Sequence, residues 1–184
     1  MQVKTLRKGL FLDRDGVVNI NNHYIADSNG IEFISGIFEL CSWAHSEEFL
    51  IVIVTNQSGI GRGLFTMGQY NELTNWILTQ FSIRGCVIDL VVTSPIDPND
   101  EKNSEAVKFR RKPLPGMILD ACEILSIDPG KSVLIGDSES DIEAGMAAGI
   151  PTLIRIAQSM PHTRATHCFT SIESLLNVKE VVIK

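Results

Sequence analysis

The chain is predicted to fold as an α/β protein, a doubly wound parallel sheet, and three observations predict it. Apolar runs of a few residues recur along the 184 positions, separated by stretches of helical length and pattern. The runs lack polar interruption, as strands buried on both faces do. Polar clusters stand directly behind them, at the carboxyl ends where an open α/β sheet binds its ligands. Strand alternating with helix implies parallel neighbours joined by right-handed crossovers.

The first run, Gly9-Leu10-Phe11-Leu12, stops at Asp13-Arg14-Asp15-Gly16, where the glycine permits a turn that side chains disfavour. A loop over 19–34 follows, longer than most such connections. A helix is predicted over 37–46. Leu50-Ile51-Val52-Ile53-Val54, rich in β-branched residues, reads as a central parallel strand. The next helix spans 67–82, with Thr66 as its N-cap and Glu72 within its first turns. Asp89-Leu90-Val91-Val92-Thr93 is the third strand. From it a polar, charged, proline-bearing loop over 94–112 leads to a helix at 115–125. Ser132-Val133-Leu134-Ile135 and Thr152-Leu153-Ile154 are the remaining strands, with a helix at 140–148 between them. No stretch is long enough for a large inserted cap domain, so the two long loops are expected to govern access.

The length fits one domain over 1–184 with enough chain for a substantial core. A hydrophobic content of 44% and a charged content of 21% are ordinary for a soluble globular protein. The net charge of −6 opposes general binding to nucleic acid or an anionic membrane. Cys41, Cys86, Cys122 and Cys168 are scattered without metal-ligand or redox spacing, and read as small apolar residues of a reducing compartment. No segment has the length of a signal-peptide core or a membrane span. A cytoplasmic monomer is expected.

Chemistry is expected at four strand ends. Asp13 and Asp15, two apart on extended chain, crowd two like charges. Such a pair needs a cation or a retained proton, which points to a hard metal ion, a nucleophilic carboxylate and a proton shuttle. A solvated Asp-Gly turn is the competing explanation. Thr55-Asn56-Gln57-Ser58-Gly59 offers neutral donors suited to phosphate oxygens, or is an ordinary polar loop. In Arg111-Lys112-Pro113 an ammonium can neutralise a carboxylate and a phosphate together, beside a guanidinium fork. Such pairs also occur as plain surface charge. Asp137 falls at a strand end with Asp141 one helical turn further on. Both suit a divalent cation, and Asp141 also suits a helix cap.

Together and in this order, Asp13-Arg14-Asp15-Gly16-Val17, Thr55, Lys112 and Gly136-Asp137 through Asp141 match the four motifs of the haloacid dehalogenase-like phosphohydrolases, which the chain resembles. Phe11 to Gly16, Tyr24, Val54 to Ile60 with Arg62-Gly63, and Arg111 to Met117 look like the histidinol-phosphate phosphatase subfamily. Within it the chain is most similar to the heptose 1,7-bisphosphate phosphatases, over nearly its whole length. The resemblance implies a Rossmann-like fold with Asp13 as nucleophile, forming an aspartyl-phosphate, and Asp15 as acid and base. It implies Mg²⁺ held by Asp13, the backbone carbonyl of Asp15, and Asp137, with Thr55 and Lys112 on the transferred phosphoryl group. Substrate contacts are implied for Asn56, Gln57, Ser58, Arg111 and Lys112, and for Asn21, Asn22, His23 and Tyr24 of the first loop. His23 reads equally as a surface histidine, and His45, His162 and His167 as structural.

Many members of that subfamily carry a zinc loop before the Arg-Lys-Pro motif. Here the interval 94–112 holds neither Cys nor His, so no structural zinc is expected. The implied activity is a Mg²⁺-dependent phosphomonoesterase for a phosphorylated sugar of the D-glycero-D-manno-heptose 1,7-bisphosphate class. Competing readings are a phosphatase for histidinol phosphate or another small metabolite, and a non-catalytic phosphate- or partner-binding module. A phosphatase of nucleic-acid ends is opposed by the acidic charge.

Overall fold

The computed structural model describes residues 5–21, 24, 25, 27–159 and 162–183; Asn22 and His23 lie outside the described residues. The apolar runs become parallel strands: β1 (Gly9–Leu12), β2 (Leu50–Asn56), β3 (Leu90–Ser94), β4 (Val133–Gly136), β5 (Thr152–Ile156) and β6 (His167–Phe169). Their order across the sheet is β3-β2-β1-β4-β5-β6. The chain moves outward from β1 through β2 to β3, then returns to place β4 on the other side of β1. That reversal opens a crevice at the carboxyl end of β1, where doubly wound sheets bind ligands. In the register, Phe11 stands between Val52 and Leu134.

The helices are α1 (Ile37–Ser46), α2 (Ser58–Gly61), α3 (Met67–Ile83), α4 (Glu105–Phe109), α5 (Gly116–Leu125), α6 (Glu139–Ala147), α7 (Ile172–Leu176) and α8 (Lys179–Val182). The period-2 geometry of the strands sends alternate residues to two separate cores. Leu10, Leu12, Ile51, Ile53 and Ile135 join Leu40 of α1, Ile77 and Phe81 of α3, and Leu175 of α7. Phe11, Val52, Val54 and Leu134 join Met117 and Ile118 of α5 and Ile142 of α6 on the other face. The sheet is therefore covered on both sides, the condition under which parallel strands lose their polar alternation. No helix among the described residues is long and apolar enough to cross a membrane.

The helix starts follow local chemistry. Thr66 accepts from Gln69 N while Gln69 Oε1 accepts from Thr66 N, a reciprocal capping box. Five predicted strands appear at their expected places, and β2 runs on to include Thr55 and Asn56. β6 is an addition: three residues, half-polar and at the sheet edge, carry too little pattern to be read. The two long loops also contain structure. In the first, Ile20 N bonds Glu32 O at 2.8 Å and Ile34 N bonds Val18 O at 3.0 Å, folding it back on itself. The second holds the five-residue α4, capped by Ser104.

Candidate active site

Asp13 leaves the end of β1, where its amide still bonds Ile135 O at 3.0 Å. Lys112 reaches it from the segment before α5, and the Lys112 side chain is almost wholly buried. Its Nζ lies 2.7 Å from Asp13 Oδ1, 2.6 Å from Asp141 Oδ1 and 2.8 Å from Val54 O. Burial alone would discharge the ammonium, but the two carboxylates outweigh it and hold its pKa above the ordinary range. Asn56 fixes the lysine backbone from both sides: its Nδ2 donates to Lys112 O at 3.1 Å, and its Oδ1 accepts from Lys112 N at 3.2 Å.

Asp137 directly follows β4, and Asp141 lies in the first turn of α6. The Asp141 carboxylate accepts from Ser138 N and Ser138 Oγ at 3.0 and 2.6 Å, so it caps α6 and anchors Lys112 at once. Carboxylate oxygens of Asp13, Asp137 and Asp141 all lie within 4.8 Å of one another. Burial pushes Asp13 up to about 8, with Lys112 opposing and Asp141 and Asp137 reinforcing the rise. Burial and Asp141 push Asp137 up to about 6. Gly16, at φ 94°, sits so close that any Cβ there would collide with the Asp137 carboxylate.

Asp15 faces a different way. It accepts from Arg14 through both oxygens, from Asn19 Nδ2 at 3.0 Å and from Gln57 Nε2 at 2.8 Å. Burial would raise its pKa, but the Arg14 guanidinium and the neutral donors prevail and lower it. Gln57 Nε2 also reaches Thr55 Oγ1 at 2.9 Å, tying the acid/base candidate to the phosphate-binding candidate.

These groups surround a cleft of ≈ 290 Å³ whose walls include Asp13, Asp15, Thr55, Lys112, Asp137 and Asp141. Asn21, Tyr24, Asn56, Gln57 and Ser58 line it as well. Arg111 does not line it; its Nη1 donates to Ile96 O at 3.3 Å. With all four carboxylates ionised, the two cations Arg14 and Lys112 leave the cleft two positive charges short of neutral, and without a cation that shortfall is met by protons retained on Asp13 and Asp137. One divalent cation closes that gap, and an all-oxygen donor set suits a hard ion.

Sequence reasoning gave no role to Arg14, Asn19 or Ser138. Adjacent residues on a strand point to opposite faces, so spacing alone does not reveal that Arg14 turns back onto Asp15.

Among curated relatives, a D-glycero-alpha-D-manno-heptose-1,7-bisphosphate 7-phosphatase of Burkholderia mallei is 42% identical over 81% of this chain and 79% of its own. The chain belongs to the HAD-like hydrolases. A D-glycero-beta-D-manno-heptose-1,7-bisphosphate 7-phosphatase of Vibrio cholerae is 34% identical over 97% of each chain. The HAD-hydrolase-like family model matches residues 109–155, which carry Lys112, Asp137 and Asp141. A solved HAD-like neighbour, the D,D-heptose 1,7-bisphosphate phosphatase from B. bronchiseptica complexed with magnesium and phosphate, superposes with a TM-score of 0.79. It is 26% identical and covers 95% of this chain and 98% of its own.

Proposed function

We propose that this chain is a magnesium-dependent phosphatase that removes the 7-phosphate of D-glycero-D-manno-heptose 1,7-bisphosphate, acting as a cytoplasmic monomer. The observation that carries the chemistry is the crowding of Asp13, Asp137 and Asp141 in one small volume, whose charge, once all are ionised, a single divalent cation neutralises together with Lys112. The substrate comes from the two relatives named above.

In this reading an Asp13 oxygen attacks phosphorus, and the bond from phosphorus to the sugar oxygen breaks with its electron pair on that oxygen. Asp15 gives the oxygen a proton. Water then attacks the aspartyl-phosphate, Asp15 takes the proton, and the bond between Asp13 and phosphorus breaks. The donors around Asp15 favour its ionised form, which suits the second step. An incoming phosphate dianion works against them and favours the protonated form needed in the first. Lys112 and Thr55 oppose the charge that gathers on the phosphoryl oxygens. Magnesium, when bound by Asp13, Asp137 and the Asp15 carbonyl, supplies further charge neutralisation on those oxygens.

The test is phosphate release with Mg²⁺ from both anomers of the heptose bisphosphate, histidinol phosphate and hexose phosphates. Release is expected to be fastest from a heptose bisphosphate and lost in Asp13→Asn with the fold intact. A faster histidinol phosphate reaction would overturn the substrate, and near-normal turnover in Asp13→Asn would remove the nucleophile. One zinc per purified chain would contradict the zinc-free reading of 94–112.

A further inference from the structure

A second set of charged groups stands at the rim of the cleft. Arg62, the residue that closes α2, donates from Nη1 to the Tyr24 hydroxyl at 2.8 Å and from Nε to Asp97 Oδ1 at 3.3 Å. Tyr24 belongs to the first long loop and lines the cleft; Asp97 belongs to the second. Both loops land on α2. A Cβ at Gly59 would strike the Tyr24 ring, and one at Gly61 would strike the backbone of Pro95 and Asp97. Tyr24 holds φ 52°, a left-handed conformation unfavourable for a bulky residue, so its surroundings fix it there.

Arg111 completes the group. Its guanidinium is half-buried, and burial together with nearby Arg62 lowers its pKa while Asp97 partly offsets them. Two guanidiniums thus share one carboxylate, and one positive charge at the rim is unmatched. The floor of the cleft has the opposite imbalance, which a divalent cation corrects. A phosphate at Asp13 therefore leaves the rim charge unanswered, whereas a second phosphate on the same molecule answers it.

Magnitudes favour the exchange. The Arg62–Asp97 pair is partly exposed, with side chains 35% and 23% accessible, and such pairs contribute about 0–1 kcal/mol. A guanidinium fork on phosphate is stronger and better defined. Asp97 also keeps partners of its own: Oδ1 accepts from Asn99 N at 3.1 Å, and its carbonyl accepts from Asn103 Nδ2 at 3.0 Å. It remains satisfied when Arg62 turns away.

We propose that Arg62, fastened between Tyr24 and Asp97, is a specificity-determining residue that takes the second, non-reacting phosphate of a bisphosphorylated sugar, with Asp97 as the resident counter-ion this phosphate displaces. The inference rests on the bisphosphatase reading above.

The experiment compares kcat/KM for heptose 1,7-bisphosphate and heptose 7-phosphate in the wild type, Arg62→Gln and Asp97→Asn. Loss of one charge-assisted contact in Arg62→Gln is expected to lower the bisphosphate-to-monophosphate ratio about 10- to 100-fold, through KM. Asp97→Asn retains an acceptor for Asn99 N but frees Arg62, so its KM for the bisphosphate is expected to fall. Opposite signs from the two partners of one ion pair are the signature of exchange; a purely structural latch moves both variants the same way. Equal losses on both substrates in Arg62→Gln, or matching signs in the two variants, overturn the inference. Should Arg62→Gln fail to fold, Arg62→Lys keeps the charge without the fork and is expected to fall between it and the wild type. If the wild type does not hydrolyse the bisphosphate at all, the proposed function fails and takes the inference with it. Hydrolysis without dependence on Arg62 defeats the inference alone.

Discussion

Gln57 shows how far a single residue can be read. Its type and its place behind β2 marked it as a donor for substrate oxygens, but its amide is committed to Asp15 and Thr55 and it is only 5% exposed. Asn56 similarly spends its amide on the Lys112 backbone. Short side chains next to a motif find protein partners as readily as ligand, and sequence does not record which. Lys112, by contrast, lies where its residue type predicts, buried against Asp13 and Asp141, because a buried ammonium needs carboxylate partners. Gln57→Leu tests its role. Removing a donor to the Asp15 carboxylate raises that group's pKa, so the acidic limb of kcat is expected to move to higher pH. A contact of this kind contributes about 1.5–3 kcal/mol, so kcat is expected to fall about tenfold or more. A rise in KM at constant kcat and an unmoved pH profile would return Gln57 to the role of plain substrate contact.

At the scale of elements, the buried strands and long helices were readable because their pattern is set by burial on both faces of the sheet. What escaped was short or held by distant partners. β6 has three residues, α4 has five, and the first loop folds on itself through the Ile20–Glu32 and Ile34–Val18 backbone bonds. Arg111 illustrates the consequence: the motif located it next to Lys112, but the second loop draws its guanidinium to Ile96 O. The cap of α3 was visible in Thr66, and the structure adds Gln69 as its reciprocal partner. Thr66→Ala is expected to cost about 1 kcal/mol, which for a chain of this size lowers Tm by about 2–4 °C. Catalytic constants should be unaffected, since α3 contributes no wall of the cleft. A thermal scan that finds no shift would mean the exposed cap is replaced by water at no cost.

Over the whole molecule, the sheet reversal beside β1 gathers carboxylates from the carboxyl ends of β1 and β4 and from α6 around one lysine, and this concentration of charge couples stability to pH and to metal. Asp13 and Asp137 have folded-state pKa values of about 8 and about 6, both above their ordinary value. Between the ordinary carboxylate range and those values the metal-free folded chain holds protons that the unfolded chain has released. Its stability therefore falls as pH rises from about 4 to about 8. Asp15 acts in the other direction, but its depressed pKa confines the loss of its contribution to lower pH. A divalent cation among the carboxylates replaces those protons, so Mg²⁺ binding near neutral pH should release protons, chiefly from Asp13. Thermal unfolding from pH 5.5 to 8, in EDTA and in saturating Mg²⁺, is expected to give two Tm curves that separate as pH rises. In Asp13→Asn most of the separation above pH 6 should vanish, because the group with the highest shifted pKa has been removed. Curves that stay parallel, or converge towards pH 8, would mean that Mg²⁺ does not bind at the expense of these protons.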